Sequence, residues 1–302
     1  MNNNNQTSTN IVTRFAPSPS GQLHLGHAYT ALFAWKLAKR SNGKFILRIE
    51  DIDTGRCNAQ FEKEIFEDLE WLGIEWDEPV MRQSERAQAY KSALDSLIEK
   101  QLIYQCFCTR KEIIQEINNS IAAPQKNHAQ YKIYPGTCRS LPISQRKTKL
   151  LSGSPFAWRL DFKKALEHTG NLYWVDRLKG NQKVTSEKVG DVVLARKDIG
   201  TSYHLAVTID DSAQDISLIN RGADLFDATH IHRLLQKLLG LKTPEWHHSP
   251  LLKDEFGKRL SKSEGASTLR ELRQKGVTKS EIWSLAIQNL ATSSVKNTNF
   301  KS

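Results

Sequence analysis

Two histidines, His24 and His27, flank Leu25 and Gly26 directly before the helix-like run "AYTALFAWKLAKR". A helix N-terminus carries unpaired N–H groups and a partial positive charge, so imidazole donors placed there add hydrogen bonds to any docked phosphate. Gly21 and Gly26 have no Cβ, which lets a phosphate or a flat base come close to the backbone. Far down the chain, "FGKRLSKSEGA" sets Lys258, Arg259 and Lys262 among glycine and serine, the composition of a loop that closes cations over a polyphosphate. Each stretch alone also has an ordinary reading, a structural histidine pair and a solvated basic loop.

A second set of residues suits a small zwitterion. Glu50 closes the strand-like run "KFILRIEDID" and is placed to take an ammonium, while Arg14 and Arg221 can each fork onto a carboxylate. Singly, any of these is an ordinary surface ion pair; their common location at strand ends favours a site. A third set is sulfur-rich. Cys106 and Cys108 in "YQCFCTR" and Cys138 in "YPGTCR" suggest a structural zinc with a fourth ligand nearby. Residue chemistry favours His128 as that ligand, since imidazole binds zinc far more often than phenol does; three reduced thiols without metal are the plain alternative. Cys57 stands apart and receives no role.

These residues need a scaffold of alternating strands and helices. A short strand from Ile11 to Phe15 is ended by two prolines, and a helix runs from about Leu25 to Lys39. The strand through Phe45 and Ile49 follows, then a helix with Phe61, Ile65, Phe66, Leu69 and Leu72 at helical spacing up to Gly73, then a helix over about Glu85 to Lys100. From Tyr104 the pattern breaks into cysteines and polar and basic stretches. It resumes with "GDVVLAR", "YHLAVTIDD", "DISLINRGADL" and the helix "HIHRLLQKLLG". The expected fold is α/β, a Rossmann-type doubly wound parallel sheet with an inserted zinc-bearing subdomain and a small C-terminal helical region. Residues 1–10 are expected to form a disordered tail, 11–104 and 190–240 a split Rossmann domain, and 105–189 the insertion. The basic loop and helical region take 241–290, read as loop then helix, and 291–302 form a polar tail.

The chain of 302 residues has 43 Lys and Arg against 33 Asp and Glu, a net charge of +10. That balance favours a polyanionic partner, nucleic acid first. No signal peptide and no apolar run of about 18 residues is present, so a membrane span is not expected. Four cysteines are too few to staple a chain of this length, which suits the reducing cytoplasm.

"HLGH" resembles the HIGH motif and "RLSKS" the KMSKS motif of class I aminoacyl-tRNA synthetases, the first position of the latter being Arg259 rather than lysine. "RFAPSPSGQLHLGHAYTAL", "RIEDID", "YHLAVTIDD" and "RGADL" resemble the glutamyl branch, over about Val12 to Lys262. The resemblance implies ATP-dependent activation of L-glutamate, with His24, His27 and Lys262 catalytic and His24, Gly26, His27, Arg259, Ser261 and Lys262 around ATP and its Mg²⁺. It carries the glutamate site to Arg14, Phe15, Ala16, Pro17, Ser18, Glu50, Tyr203 and Arg221. Carboxyl attack on the α-phosphorus needs little proton transfer, so cations and oriented N–H groups are the fitting tools.

Within that branch the pattern C-x-C then Y-x-x-x-C is similar to that of the glutamyl-queuosine tRNA(Asp) synthetases, which implies Tyr134 as the ligand completing Cys106, Cys108 and Cys138. The chain runs only 40 residues past Lys262, too few for an anticodon-reading region. The resemblance therefore implies tRNA-independent glutamate activation, then transfer to the queuosine base of tRNA(Asp), by a cytoplasmic enzyme expected to be a monomer. No protein base for the acceptor hydroxyl is apparent, and the adenylate phosphate is expected to serve. The competing readings are a conventional glutamyl-tRNA synthetase module, a HIGH-type nucleotidyltransferase and an inactive RNA-binding module.

Overall fold

The computed structural model describes residues 10–121, 133–187, 189–196, 198–251 and 267–285, without the side chains of 116–121. Strand β1 (Val12–Phe15) leads into helix α1 (Leu25–Arg40), which returns to β2 (Lys44–Ile49). Phe45 to Ile49 are buried throughout, the continuous burial expected of a strand inside a parallel sheet. Helix α2 (Ala59–Leu72) is capped by Asn58 and ends on Gly73 in the left-handed conformation. The short β3 (Met81–Arg82) and α3 (Ala87–Glu99) complete this half, with β1, β2 and β3 parallel in that order.

The middle of the chain supplies β4 (Ile103–Cys106), α4 (Arg110–Ile121), α5 (Ile143–Leu151), β5 (Ala157–Leu160), α6 (Phe162–Thr169), β6 (Tyr173–Asp176), β7 (Gly180–Lys183) and β8 (Val193–Arg196). Strands β4, β5 and β8 form a separate antiparallel sheet. "GDVVLAR" thus closes the insertion and does not resume the parallel sheet. Asp191, within this stretch and just before β8, fastens the insertion, accepting hydrogen bonds from Tyr104, Arg139 and the Phe162 N–H. The insertion also returns a hairpin to the main body, for β6 runs parallel beside a strand beyond residue 240 and antiparallel to β7.

The remaining elements are α7 (Tyr203–Ala213), β9 (Leu218–Gly222), α8 (Ala228–Leu239), β10 (Glu245–Ser249) and α9 (Leu269–Gln274). "YHLAVTIDD" is therefore a helix, which Tyr203 opens. β10 was not expected: the stretch after Gly240 read as loop then helix. "EWHHS" has no apolar run because its buried positions are Trp246, His248 and Ser249, two of them satisfied by hydrogen bonds.

β10 lies parallel to β9. β9 in turn lies beside β1 in the same direction, joined through Ser217 N–H to Val12 C=O and the Arg14 guanidinium to Asn220 C=O instead of a ladder. From this seam the chain winds one way through α1 to β2 and the other way through α8 to β10. Such a reversal of winding leaves a crevice beyond the carboxyl ends of the strands. One core packs α1 and α2 on β1 and β2, and a second, around Trp174 and Trp246, fills the space under α3, α6 and α8. The C-terminal segment docks on the first core through Leu269 and Ile282, and Trp283 donates to Leu72 C=O. No described helix is long and apolar enough to cross a membrane.

Candidate active site

At the mouth of α1, His24 is the N-cap and forms a capping box with His27. Gly26 N–H donates to His24 Nδ1 at 3.0 Å, and His24 N–H donates to His27 Nδ1 at 3.2 Å. An Nδ1 that accepts cannot carry the proton of a neutral imidazole, so both rings carry it on Nε2. The rings lie against each other, centroids 3.8 Å apart and planes tilted by 32°. The helix thereby fixes two N–H donors in the tautomer a phosphate requires. A Cβ on Gly26 would stand 2.9 Å from His24 Cε1. The space where a Gly26 side chain would begin belongs to the His24 ring, so the glycine makes room for the cap.

Arg259, Ser261 and Lys262 lie outside the described residues, as does His128. Both flanks of their segment reach this edge of the sheet. Leu251 Cδ2 stands 3.0 Å from where a Gly222 Cβ would be. Thr268 forms a β-bridge with His24, and Leu269 N–H donates to Leu23 C=O.

Beyond β1 the prolines stop the strand, and Pro17 C=O accepts from Glu50 N–H at 3.0 Å, drawing residues 16–18 against the end of β2. Arg14 is buried and donates through Nε to Asp211 Oδ1 at 3.0 Å and through Nη1 to Asn220 C=O at 3.2 Å. Arg48, wholly enclosed, donates through Nη2 to both Asp211 (2.8 Å) and Glu50 (3.2 Å). Burial works against the Asp211 charge, but Arg14 and Arg48 more than offset it and hold its carboxyl below the usual range. Glu50 goes the other way: burial pushes it up, and Arg48 and Arg14 only partly offset that, with Asp211 adding repulsion. An ammonium brought beside Glu50 would supply the missing cation.

Arg221, on β9, is buried and touches Tyr203 Oη, His232 Nδ1, His248 Nε2 and Thr229 Oγ1. Burial and then the Arg14 guanidinium pull it below the usual arginine range, with Tyr203 and Asp211 opposing. Tyr203 is raised by burial and feels Arg221, Glu50, Arg14 and Asp211. The structure thus brings Arg14, Glu50, Tyr203 and Arg221 to the seam between β1 and β9. It does not bring the Phe15 side chain there: Phe15 packs in the core under α1. Pro17 is buried, Ala16 half-buried and Ser18 exposed, the Ser18 Oγ lying 3.7 Å from Cys57 Sγ.

Sequence reasoning missed Arg48, Asp211, His232, His248 and Asp176. A signal existed for two of them. An arginine inside the apolar strand "FILRI" must be buried and needs an acid, and paired aspartates ending an apolar helix supply one. Asp210, the other half of that pair, accepts from Gln83, Arg86 and Tyr90 and ties α7 to α3.

In the insertion, the thiol sulfurs of Cys106, Cys108 and Cys138 all lie within 4.8 Å of one another. Tyr134 Oη is 3.4 Å from Cys106 Sγ and 3.5 Å from Cys108 Sγ, and it accepts from Cys138 N–H. Four donors spaced this way suit a tetrahedral zinc, whose S–S edges run to about 3.8 Å for bonds of about 2.3 Å. Burial foremost pushes Cys108 up to about 12, while the Phe107 N–H and the neighbouring thiol and phenol bring Cys138 down against its burial.

Residues 10–299 match the family model described as "tRNA synthetases class I (E and Q), catalytic domain". The chain is 43% identical over 282 residues to a Rhodobacter capsulatus protein named glutamyl-Q tRNA(Asp) synthetase, covering 90% of this chain and 98% of that one. A Nocardia farcinica protein of the same name is 40% identical over 277 residues, covering 92% and 84%. Among solved structures, a glutamate tRNA ligase from Elizabethkingia meningosepticum in complex with its amino acid is similar with a TM-score of 0.70 at 31% identity. The match covers 89% of this chain and 53% of that one, so this chain spans about half the length of that enzyme.

Proposed function

The chain belongs to the class I tRNA synthetase family of the E and Q type, and from that premise we propose that it activates L-glutamate with ATP, without tRNA, and passes it to queuosine in tRNA(Asp). The observation that carries the glutamate reading is the meeting of Arg14, Glu50, Tyr203 and Arg221 at one seam, beyond strand ends that also carry the His24–His27 cap. Two relatives matched over most of their own length bear the glutamyl-Q name, which supports queuosine as the acceptor.

In the first step an oxygen of the glutamate α-carboxylate attacks the α-phosphorus of ATP. The bond to the bridging oxygen breaks, pyrophosphate leaves with its electron pair, and glutamyl-adenylate remains. Glu50 takes the ammonium, Arg14 and Arg221 take carboxylate, and the Nε2–H groups of His24 and His27 hold phosphate oxygens. Lys262 offsets the charge developing on pyrophosphate. In the second step a hydroxyl of the queuosine ring attacks the glutamyl carbonyl, AMP leaves, and its phosphate takes the hydroxyl proton.

Zinc bound by Cys106, Cys108, Tyr134 and Cys138 would supply a structural crosslink and no catalytic chemistry. Those residues hold the turn around Cys138 against the end of β4. The adjacent α5 bears Arg146, Lys147 and Lys149, no acid and no buried residue, and it exposes 84% of Ile143 and 80% of Leu151. Cations beside bare apolar side chains suit an RNA loop, whose phosphates and unstacked bases need one of each. The test is transfer of labelled glutamate, with ATP, to tRNA(Asp) with queuosine, tRNA(Asp) without it, and tRNA(Glu). Label on the first alone is expected; label on tRNA(Glu) would restore a conventional glutamyl-tRNA synthetase module.

A further inference from the structure

Arg221 sits at the centre of a hydrogen-bond chain that the two-step reaction does not use. On one side Asp176 Oδ2 lies 2.7 Å from His248 Nδ1, which must donate to it. His248 Nε2 is then the bare nitrogen and accepts from Arg221 Nε at 3.1 Å. On the other side Arg221 Nη1 lies 3.1 Å from His232 Nδ1. A guanidinium only donates, so this Nδ1 is bare and His232 carries its proton on Nε2. That Nε2 lies 3.2 Å from His204 Nδ1, which therefore accepts. One permanent cation thus sets His248 in the Nδ1–H form and His232 and His204 in the Nε2–H form.

The same contacts count out the donors of Arg221. Its Nε–H goes to His248, its two Nη1 protons to His232 and Tyr203, and one Nη2 proton to Thr229 Oγ1 at 2.5 Å. Among the described residues one Nη2 proton remains uncommitted. A fork onto a carboxylate needs two on neighbouring nitrogens. Arg14 differs. Its Nε–H goes to Asp211 and one Nη1 proton to Asn220 C=O, which leaves, among the described residues, one proton on Nη1 and two on Nη2.

We propose that His248, backed by Asp176, and His232, backed by His204, are positioning residues that fix the plane of Arg221 and leave it one N–H for a glutamate carboxylate, the two-pronged grip falling to Arg14. This rests on the glutamate reading above. The three histidines suit the task because burial first, and the arginine charge with it, pulls them all below the ordinary imidazole range. They stay neutral beside a cation and keep an acceptor lone pair turned to it.

Two measurements test this. The first is histidine ¹⁵N NMR of the whole protein at about pH 7, which tells a bare ring nitrogen from a protonated one. His248 should show bare Nε2, and His232 and His204 bare Nδ1; a proton on His248 Nε2 or His232 Nδ1 overturns the proposal. The second is glutamate-dependent ATP–pyrophosphate exchange. His248→Leu should raise the glutamate KM about tenfold, the loss expected for one charge-assisted contact, with kcat and the KM for ATP within about twofold. His248→Gln, whose amide oxygen can still accept from Nε–H, should recover most of that loss. The pair His232→Leu and His232→Asn makes the same comparison from the other side if His248→Leu fails to fold. An unchanged glutamate KM in a folded leucine variant, or no recovery by the amide variants, refutes the positioning role. Absence of glutamate-dependent exchange in the unaltered protein would instead overturn the glutamate reading, and the NMR pattern would still judge the hydrogen-bond chain.

Discussion

Acidification from about pH 7 to about pH 5 should destabilise the fold through its buried histidines. Burial foremost holds His204, His247 and His248 at about 4, and His232 lies well below its ordinary value. In the unfolded chain each takes its proton near 6.5. Between those values the unfolded state binds protons that the native state refuses, so their stabilisation is complete above 6.5 and is lost as pH falls through 6.5 toward 4. At about pH 5 the four histidines make a difference of about four protons. Two carboxylates oppose them. Asp68, raised to about 6 by burial and by Glu64, is protonated in the native state and ionised in the unfolded one. Glu50, also raised by burial, acts in the same sense. Asp176 and Asp211, both lowered, stay ionised in either state at this pH. At least about two net protons remain, which at about 1.4 kcal/mol per proton and pH unit gives a slope on the order of 3 kcal/mol per pH unit. Urea midpoints at constant m, taken in half-unit pH steps, read that slope. In His248→Gln it should shrink by about one proton's worth. A flat profile between about pH 6.5 and 5, or native His248 titrating near 6.5, would refute the reasoning.

Glutamate binding should release a proton in mildly acid buffer, because its ammonium offsets the burial that raises Glu50; calorimetry in buffers of different ionisation enthalpy should show the release near about pH 5, none near about pH 8, and none in Glu50→Gln. Gly26→Ala places a Cβ 2.9 Å from His24 Cε1, so the ring must leave its cap; pyrophosphate exchange should fall by about tenfold or more while glutamate protection against thermal unfolding persists. Reversing Arg146, Lys147 and Lys149 to glutamate should leave pyrophosphate exchange within about twofold and weaken transfer to tRNA, with a shallower dependence of tRNA KM on salt.

What the sequence made legible was local. The His24 cap, the Gly73 stop and the Cys106–Cys108 pair each depend on residues a few positions apart, so their spacing displays them. Tyr134 joins them through a turn of four residues to Cys138. The hidden part is held across the chain. Arg14 meets Asp211 across 197 residues and His248 meets Asp176 across 72, and no local period encodes either pairing. β10 escaped because a strand buried through histidine and serine lacks the apolar alternation that identifies strands. Phe15 was placed in the site by its neighbours in the motif, yet strand alternation turns Arg14 and Phe15 to opposite faces. One faces the crevice and the other the core under α1.

The three buried arginines Arg14, Arg48 and Arg221 are compensated unequally, and that inequality matches the ligand. Arg14 and Arg48 share Asp211 and touch or feel Glu50, so this side of the seam nearly balances. Arg221 forms no ion pair among the described residues: its hydrogen-bond partners are His248, His232, Tyr203 and Thr229, and Asp211 acts on it without touching it. The β9 side therefore carries an excess of positive charge, and the end of β2 carries a carboxylate that burial leaves short of a cation. A molecule with one ammonium and two carboxylates relieves both conditions at once. An uncharged amide in place of the side-chain carboxylate would leave a buried guanidinium uncompensated, a loss on the order of 3 kcal/mol. On the glutamate reading proposed above, selectivity over glutamine rests on where the protein withholds an acid as much as on where it supplies an arginine, and glutamine-dependent pyrophosphate exchange as strong as that with glutamate would refute this.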